Sequence, residues 1–291
     1  MDLPSILVLE EVLLDASEPI TKRMRALFYL RTIGTEEVIP VISKAFNDPS
    51  LLLQHEICYV LGQIKHIKSL EFLKQVLENE DNAVISRHEA AEAIAAIGEP
   101  SYYETLEKYA NHQSQILAET CQLAIDRLKW LEKGENLGPN FCLSIDPAPP
   151  YTENYTLSQL LDIYKNPDLS LFNRYRALFS LRDLCTDESV LGICEGLNND
   201  NFSALFQHEI GFVLGQMQEK AHKGLHFLAN TVKNHNNHYI VRHEAAEAIG
   251  SITNDEEYLN ILKMYLNDPD EPVRSSCFIA LDISEYWFST S

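Results

Sequence analysis

Basic residues are scarce in this chain: 23 lysines and arginines stand against 43 aspartates and glutamates, a formal net charge of −20 over 291 residues. That balance argues against a phosphate-backbone partner, so no nucleic acid is expected, and it is compatible with a cationic one. No apolar run reaches the ~18 residues that a membrane-spanning helix needs. The amino terminus, MDLPSILVLEEVLLDASEP, carries acids where a secretory leader carries bases. A cytoplasmic chain with no membrane partner is expected. Cysteine is also sparse. Cys58, Cys121, Cys142, Cys185, Cys194 and Cys277 form no CxxC, and most sit in apolar helical strings. They read as small buried thiols in a reducing compartment, with no disulfide. Strand signals are nearly absent, and with them any GxGxxG preceded by a strand, which excludes a flavin or nicotinamide site built on that motif.

What is present is repetition. RMRALFYLR from Arg23 returns as RYRALFSLR from Arg174, LLLQHEICYVLGQ as SALFQHEIGFVLGQ, and SRHEAAEAIAAIG as VRHEAAEAIGSIT, at offsets of 151, 153 and 155 residues. Inside each half a shorter period appears. Met24, His55, His88 and Glu119 follow one another at 31 to 33 residues, and Tyr175, His208, His243 and Ser275 at 32 to 35. Each unit pairs a helix such as SLEFLKQVLE, apolar at three and four, with an Ala-rich second helix across a turn such as NDPS, EDNA or NDPD. A period of this length made of two helices is a solenoid unit. The expected fold is therefore all-α: eight helix pairs in two halves of four, residues 1–132 and 155–291, related by duplication. Four prolines, two glycines and no helical periodicity mark residues 133–154 as a linker. Ala90, Ala91, Ala93, Gly62, Gly215 and Gly250 suit close helix stacking.

Ten histidines and 28 glutamates in 291 residues lead to about one His-Glu dipeptide by chance. The chain has four: His55-Glu56, His88-Glu89, His208-Glu209 and His243-Glu244. All fall at one place in the second helix of the middle two units of each half. The outer units carry Met24-Arg25, Glu119-Thr120, Tyr175-Arg176 and Ser275-Ser276 there. A demand of the solenoid itself would have marked the outer units too. Neighbouring helix residues are ~100° apart and packed helices ~8 to 10 Å apart, so pairs on adjacent units converge. A lone pair of this kind is ordinarily an exposed hydrogen-bonded couple. Four in register on apolar helices are another matter, because burying four acids without a cation costs several kcal/mol each. Glu92 and Glu247, four residues after His88 and His243, are placed to orient an imidazole.

Histidine and carboxylate without thiolate suits iron or manganese, with zinc open. HExxH is absent, and no glutamate precedes a paired histidine at the Glu-x-x-His spacing of di-iron bundles. If each half gives half a site, two metals share one cleft at the ~3.5 to 4 Å that two-metal catalysis uses.

The strings QHEICYVLGQ, RHEAAEAIAAIG, QHEIGFVLGQ and RHEAAEAIG, set in two sets of HEAT-like repeats, resemble the deoxyhypusine hydroxylase family, over almost the whole chain from about Ser17 to Asp282. That resemblance implies a non-haem di-iron monooxygenase, with two Fe2+ ions and O2 as co-substrate. Its substrate is the deoxyhypusine side chain of the hypusine-bearing translation factor. It implies iron ligands among His55, Glu56, His88, Glu89, His208, Glu209, His243 and Glu244. It further assigns the four histidines with Glu56 and Glu209 to iron, and Glu89 and Glu244 to the substrate's amines as catalytic residues. An acidic cleft would take in such a cationic side chain. The two electrons such a reaction consumes require an external donor.

Two rival classes stand beside this reading. Stacked two-helix repeats often serve as docking scaffolds, which would bind no iron. A metal-dependent hydrolase would turn over without air, and a relative of the HEAT-like bilin lyases would not need four aligned His-Glu pairs. Of the remaining features, Trp130 and Trp287 read as caps on the two stacks, and Tyr59 and Phe212 as core packing. Arg87 and Arg242 are expected to brace nearby carboxylates. His222, His226, His235 and His238 lie around a polar connection with no fixed ligand spacing.

Overall fold

The computed structural model describes residues 4–134, 142, 144–199 and 201–289, apart from the side chains of residues 287 and 289. Among these residues there is no strand. The chain divides into two compact units, the first holding the described residues to 134 with Ser144–Pro147, the second those from Ala148 onward. In the first unit the helices are α1 (Ile6–Leu14), α2 (Ile20–Ile33), α3 (Val38–Lys44), α4 (Leu51–Ile64), α5 (Leu70–Glu78), α6 (Val84–Ile97), α7 (Tyr103–Glu107) and α8 (Gln115–Glu132). The second unit has α9 (Leu157–Lys165), α10 (Leu171–Leu184), α11 (Asp187–Cys194), α12 (Ala204–Met217), α13 (Leu225–Lys233), α14 (Tyr239–Ile252), α15 (Glu256–Met264) and α16 (Glu271–Ser289). This is an all-α solenoid in which each short helix packs on the longer one that follows. The repeating pattern begins with α1.

The long helices form the inner layer. In α6, Ile85, Ala90, Ala91, Ala93, Ile94, Ala95 and Ala96 are all buried. Successive long helices approach closely because glycine faces alanine. A Cβ built on Gly62 of α4 would stand 2.8 Å from Ala93 of α6, and one on Gly215 of α12 3.3 Å from Ala248 of α14. One on Gly250 of α14 would run into the Ala280 carbonyl of α16. Ser50 and Ser203 start α4 and α12 by accepting the backbone N–H groups of Leu53 and Phe206. Because α4, α6, α12 and α14 are each 14 residues long, His55, His88, His208 and His243 are each the fifth residue of their helix.

The residue just before that position ties each helix pair together. The Nε atoms of Arg23, Arg87, Arg174 and Arg242 donate to the carbonyls of Leu13, Leu77, Tyr164 and Val232 at 2.9 to 3.0 Å. Each of those carbonyls belongs to the penultimate residue of the preceding short helix, where the backbone lacks a partner of its own. Gln54 and Gln207 play the same part through Asp48 and through Gly196 with Asn199.

The described part of the segment between the halves is packed rather than loose. Gln63 exchanges two hydrogen bonds with the Ile145 backbone, and Arg127 donates to the carbonyls of Ala95 and Asp146. Beyond Ala148 the second unit takes over. Arg176 donates to the carbonyls of Pro149 and Pro150, and the Tyr151 N–H donates to Ser180. Trp130 is buried at the end of α8, while the side chain of Trp287 lies outside the described residues.

Candidate metal centre

In the first unit, α4 and α6 pack side by side with their fifth residues level. The His55 and His88 rings stand 5.4 Å apart at 39°. Glu89 reaches across to α4, its Oε2 lying 3.2 Å from His55 Nε2, and Glu56 Oε1 lies 3.0 Å from His55 Nδ1. All four side chains are buried. His55, His88 and Glu89 each offer one ligand atom, and these atoms fall within 4.8 Å of one another. Glu56 is turned to the other nitrogen of His55.

The second unit repeats the arrangement on α12 and α14. The His208 and His243 rings are 5.4 Å apart at 42°. Glu244 Oε2 lies 3.4 Å from His208 Nε2 and 4.0 Å from His243 Nε2. His208, Glu209, His243 and Glu244 are buried as well.

Electrostatics in the first unit favour a cation. Burial alone would discharge the His55 imidazole, but the Glu89 and Glu56 carboxylates outweigh it and raise its pKa well above the usual histidine value. Burial, then Glu89 and Glu56, push the nearby Cys58 thiol up, so it stays protonated and offers no thiolate. The donor set is thus imidazole nitrogen and carboxylate oxygen, which fits iron or manganese and also accommodates zinc. Such a cation would replace the positive charge that the carboxylates otherwise draw onto imidazole.

Around this inner ring the two units differ. Glu247, expected beside His243, has Oε1 3.9 Å from its Nδ1. Between them stands Ser276 of α16, which belongs to an outer unit without a His-Glu pair. Its hydroxyl is 2.6 Å from Glu247 Oε1 and 3.4 Å from His243 Nδ1. At the matching place in the first unit, Thr120 donates to the Ile116 carbonyl at 2.8 Å. Glu92 is only partly covered, yet burial and the Glu89 charge push its pKa well up, opposed by His55 and Arg127.

Arg242 does brace carboxylates, though none from a His-Glu pair: it grips Asp268 at 2.5 Å and Asp270 at 3.2 Å. Arg87 departs from expectation. Beyond the Leu77 carbonyl it lies over the Tyr109 ring at 5.4 Å, because residues 109–112, YANH, put no carboxylate there. Tyr59 and Phe212, expected as packing residues, are half-buried, and Tyr59 packs at 6.5 Å from Phe28. Five of the six histidines outside the His-Glu pairs make local contacts. His66, His112 and His238 each accept a backbone N–H two residues on. His226 lies against Phe227 and His235 against Tyr265.

Comparison with known proteins agrees with this anatomy. A family model described as HEAT repeats matches residues 6–88 and 190–282, more than half the chain, and one described as PBS lyase HEAT-like repeat matches residues 86–112. A deoxyhypusine hydroxylase of Drosophila pseudoobscura pseudoobscura is 45% identical over 276 residues, covering 94% of this chain and 90% of that one. The enzyme of that name from Candida albicans is 41% identical, covering 98% and 94%. The solved structure of human deoxyhypusine hydroxylase in complex with glycerol superposes with a TM-score of 0.91 at 40% identity, covering 97% and 96%. Identity of this depth over nearly the whole of both chains, on a solenoid with His-Glu pairs buried in each unit, places the protein: it belongs to the deoxyhypusine hydroxylase family.

Proposed function

We propose that this protein is the monooxygenase that hydroxylates the deoxyhypusine side chain of the hypusine-bearing translation factor. It would use O2, electrons from an external donor and two iron ions, one for each unit's His-Glu set. The observation that carries this reading is the duplicated, buried cluster: paired rings 5.4 Å apart in both units, each crossed by a carboxylate from the neighbouring helix. Bound iron would supply the activation of O2 that an unactivated C–H bond demands. One oxygen atom enters the product and the other leaves as water, which consumes two electrons and two protons.

The residues divide by placement. His55, His88 and Glu89 gather their ligand atoms in the first unit, and His208, His243 and Glu244 have the matching positions in the second. This supports metal-holding for Glu89 and Glu244, the reverse of the division drawn from resemblance, in which they receive the substrate. Glu56 then holds His55 by its Nδ1, so that Nε2 faces Glu89 and the metal position. Glu56 and Glu209 are left as the carboxylates to meet a cationic amine.

The test is direct. Protein loaded with Fe2+ is incubated with the deoxyhypusine-bearing factor and a reductant, and hypusine is measured after acid hydrolysis. Product in air and none under argon is expected. Turnover without oxygen would mark a hydrolase, and absence of bound iron would leave a repeat scaffold. A Glu56→Gln variant that keeps its iron but loses product, beside a Glu89→Gln variant that loses iron, is the expected pattern for the division of roles.

A further inference from the structure

We infer that Ser276 is a positioning residue for the second unit's metal ligand: with Glu247 it fixes the tautomer of His243, so that Nε2 alone meets the ion. This rests on the metal-centre reading above. Ser276 and His243 are both fully buried. The Ser276 hydroxyl has one proton, and the 2.6 Å contact to Glu247 Oε1 takes it, since that acceptor is the closer of the two. Toward His243 Nδ1, 3.4 Å away, the serine oxygen therefore presents only a lone pair. Nδ1 must carry the hydrogen and donate it. The neutral ring is then left with its lone pair on Nε2, the nitrogen that faces Glu244 at 4.0 Å.

The chain of contacts runs His243 Nδ1–H to Ser276 Oγ, then Ser276 Oγ–H to Glu247. It is a carboxylate-to-imidazole relay with a hydroxyl inserted, needed because Glu247 stands 3.9 Å from the ring, too far to bond it directly. In the first unit Thr120, at the matching place, donates its proton to the Ile116 carbonyl and not to a carboxylate, so no relay to an acid runs through its hydroxyl.

Two measurements test this. In protein labelled with 15N-histidine and loaded with Zn2+, long-range proton–nitrogen correlation should show His243 protonated at Nδ1 and metal-bound at Nε2. The reverse tautomer overturns the proposal. In Co2+ titrations followed by visible absorption, Ser276→Ala should weaken one of two binding steps by roughly 10- to 100-fold and leave the other unchanged. Ser276→Thr, which keeps the hydroxyl, should restore it. A Ser276→Ala titration identical to the parent, in a protein where His243→Ala loses a step, overturns the role of Ser276 alone. If His243→Ala also binds as the parent does, the metal-centre reading fails and takes this proposal with it.

Discussion

The two units present the same imidazole pair, 5.4 Å apart at 39° in one and 42° in the other, but they support it differently. In the first, His55 is held between Glu56 and Glu89. In the second, His208, the counterpart of His55, likewise meets Glu244, and it is His243, the counterpart of His88, that Ser276 reaches with Glu247 behind it. Three residues after the first histidine, the first unit has Cys58 and the second has Gly211, where a Cβ would come within 3.0 Å of Glu244. The paired rings are thus alike in the two units, while residues beside them, Cys58 against Gly211 and Thr120 against Ser276, are not. The supporting layer has only to limit ring rotation, and several chemistries do that.

The largest expected effect comes from removing a ring from either unit. His55→Ala and His243→Ala should each lose bound iron and hypusine formation by more than the roughly 10- to 100-fold that outer partners cost. Iron per chain by elemental analysis, with circular dichroism to confirm folding, checks this. Equal and undiminished iron in both variants would sink the metal centre.

Next comes the arginine before the second pair of each unit. Arg242 is fully buried on Asp268, and its loss strands that carboxylate. Arg242→Ala should cost about 3–5 kcal/mol of unfolding free energy. Arg87→Ala gives up a bond to a carbonyl and a ring contact, and should cost about 1–3 kcal/mol. Urea titration of both variants makes the comparison. Acid should narrow the gap. Burial would raise the Asp268 pKa, but Arg242 and the Asp270 backbone N–H outweigh it and hold the carboxyl below its usual range. A depressed carboxylate stabilises the fold above its unfolded pKa of about 3.9, and that contribution is lost as pH falls through the folded value.

Much of this was legible beforehand. The period of 31 to 35 residues and the four His-Glu pairs stand in the sequence because a solenoid repeats its contacts, and few side chains can offer a cation nitrogen or oxygen. The arginine clamp was visible only as letters, in RMR, RYR and RHE. Its meaning required knowing that residue 87 lies over the end of the preceding helix, whose penultimate carbonyl is ten residues earlier. Ser276 was illegible, since a serine's role depends on the direction of one hydroxyl. The firm seating of Ser144–Pro147 was hidden for a similar reason. An irregular segment takes its hydrogen bonds from distant partners such as Gln63 and Arg127, which no local pattern announces.

Matched glycines give a smaller contrast. Gly62→Ala drives a methyl to 2.8 Å from Ala93, where backbone must move, and should destabilise by about 1–3 kcal/mol. At Gly215 the nearest atom is 3.3 Å away. The gain of roughly 0.5–1 kcal/mol from replacing a helical glycine nearly offsets that crowding. Thermal unfolding of the two variants should separate them by several degrees, and coincident curves would show that the two inner layers are equally tight.

The smallest effect is expected where the units end matching helices differently. Gly34 after α2 and Cys185 after α10 are both left-handed, at φ 61° and 52°. A Cβ in that conformation costs about 1–2 kcal/mol, which glycine avoids. Glycine also releases more entropy on unfolding, about 0.5–1 kcal/mol, so Cys185→Gly should stabilise by at most about 1 kcal/mol. The same substitution has a chemical readout. Cys121, Cys194 and Cys277 are buried, which pushes each thiol up to about 12, so almost none of their thiolate exists at pH 8. Cys185 is exposed and should be alkylated first by iodoacetamide, as peptide mass mapping would show. If Cys185→Gly instead lowers the melting temperature, the cysteine at that cap is making a contact worth more than the strain it carries.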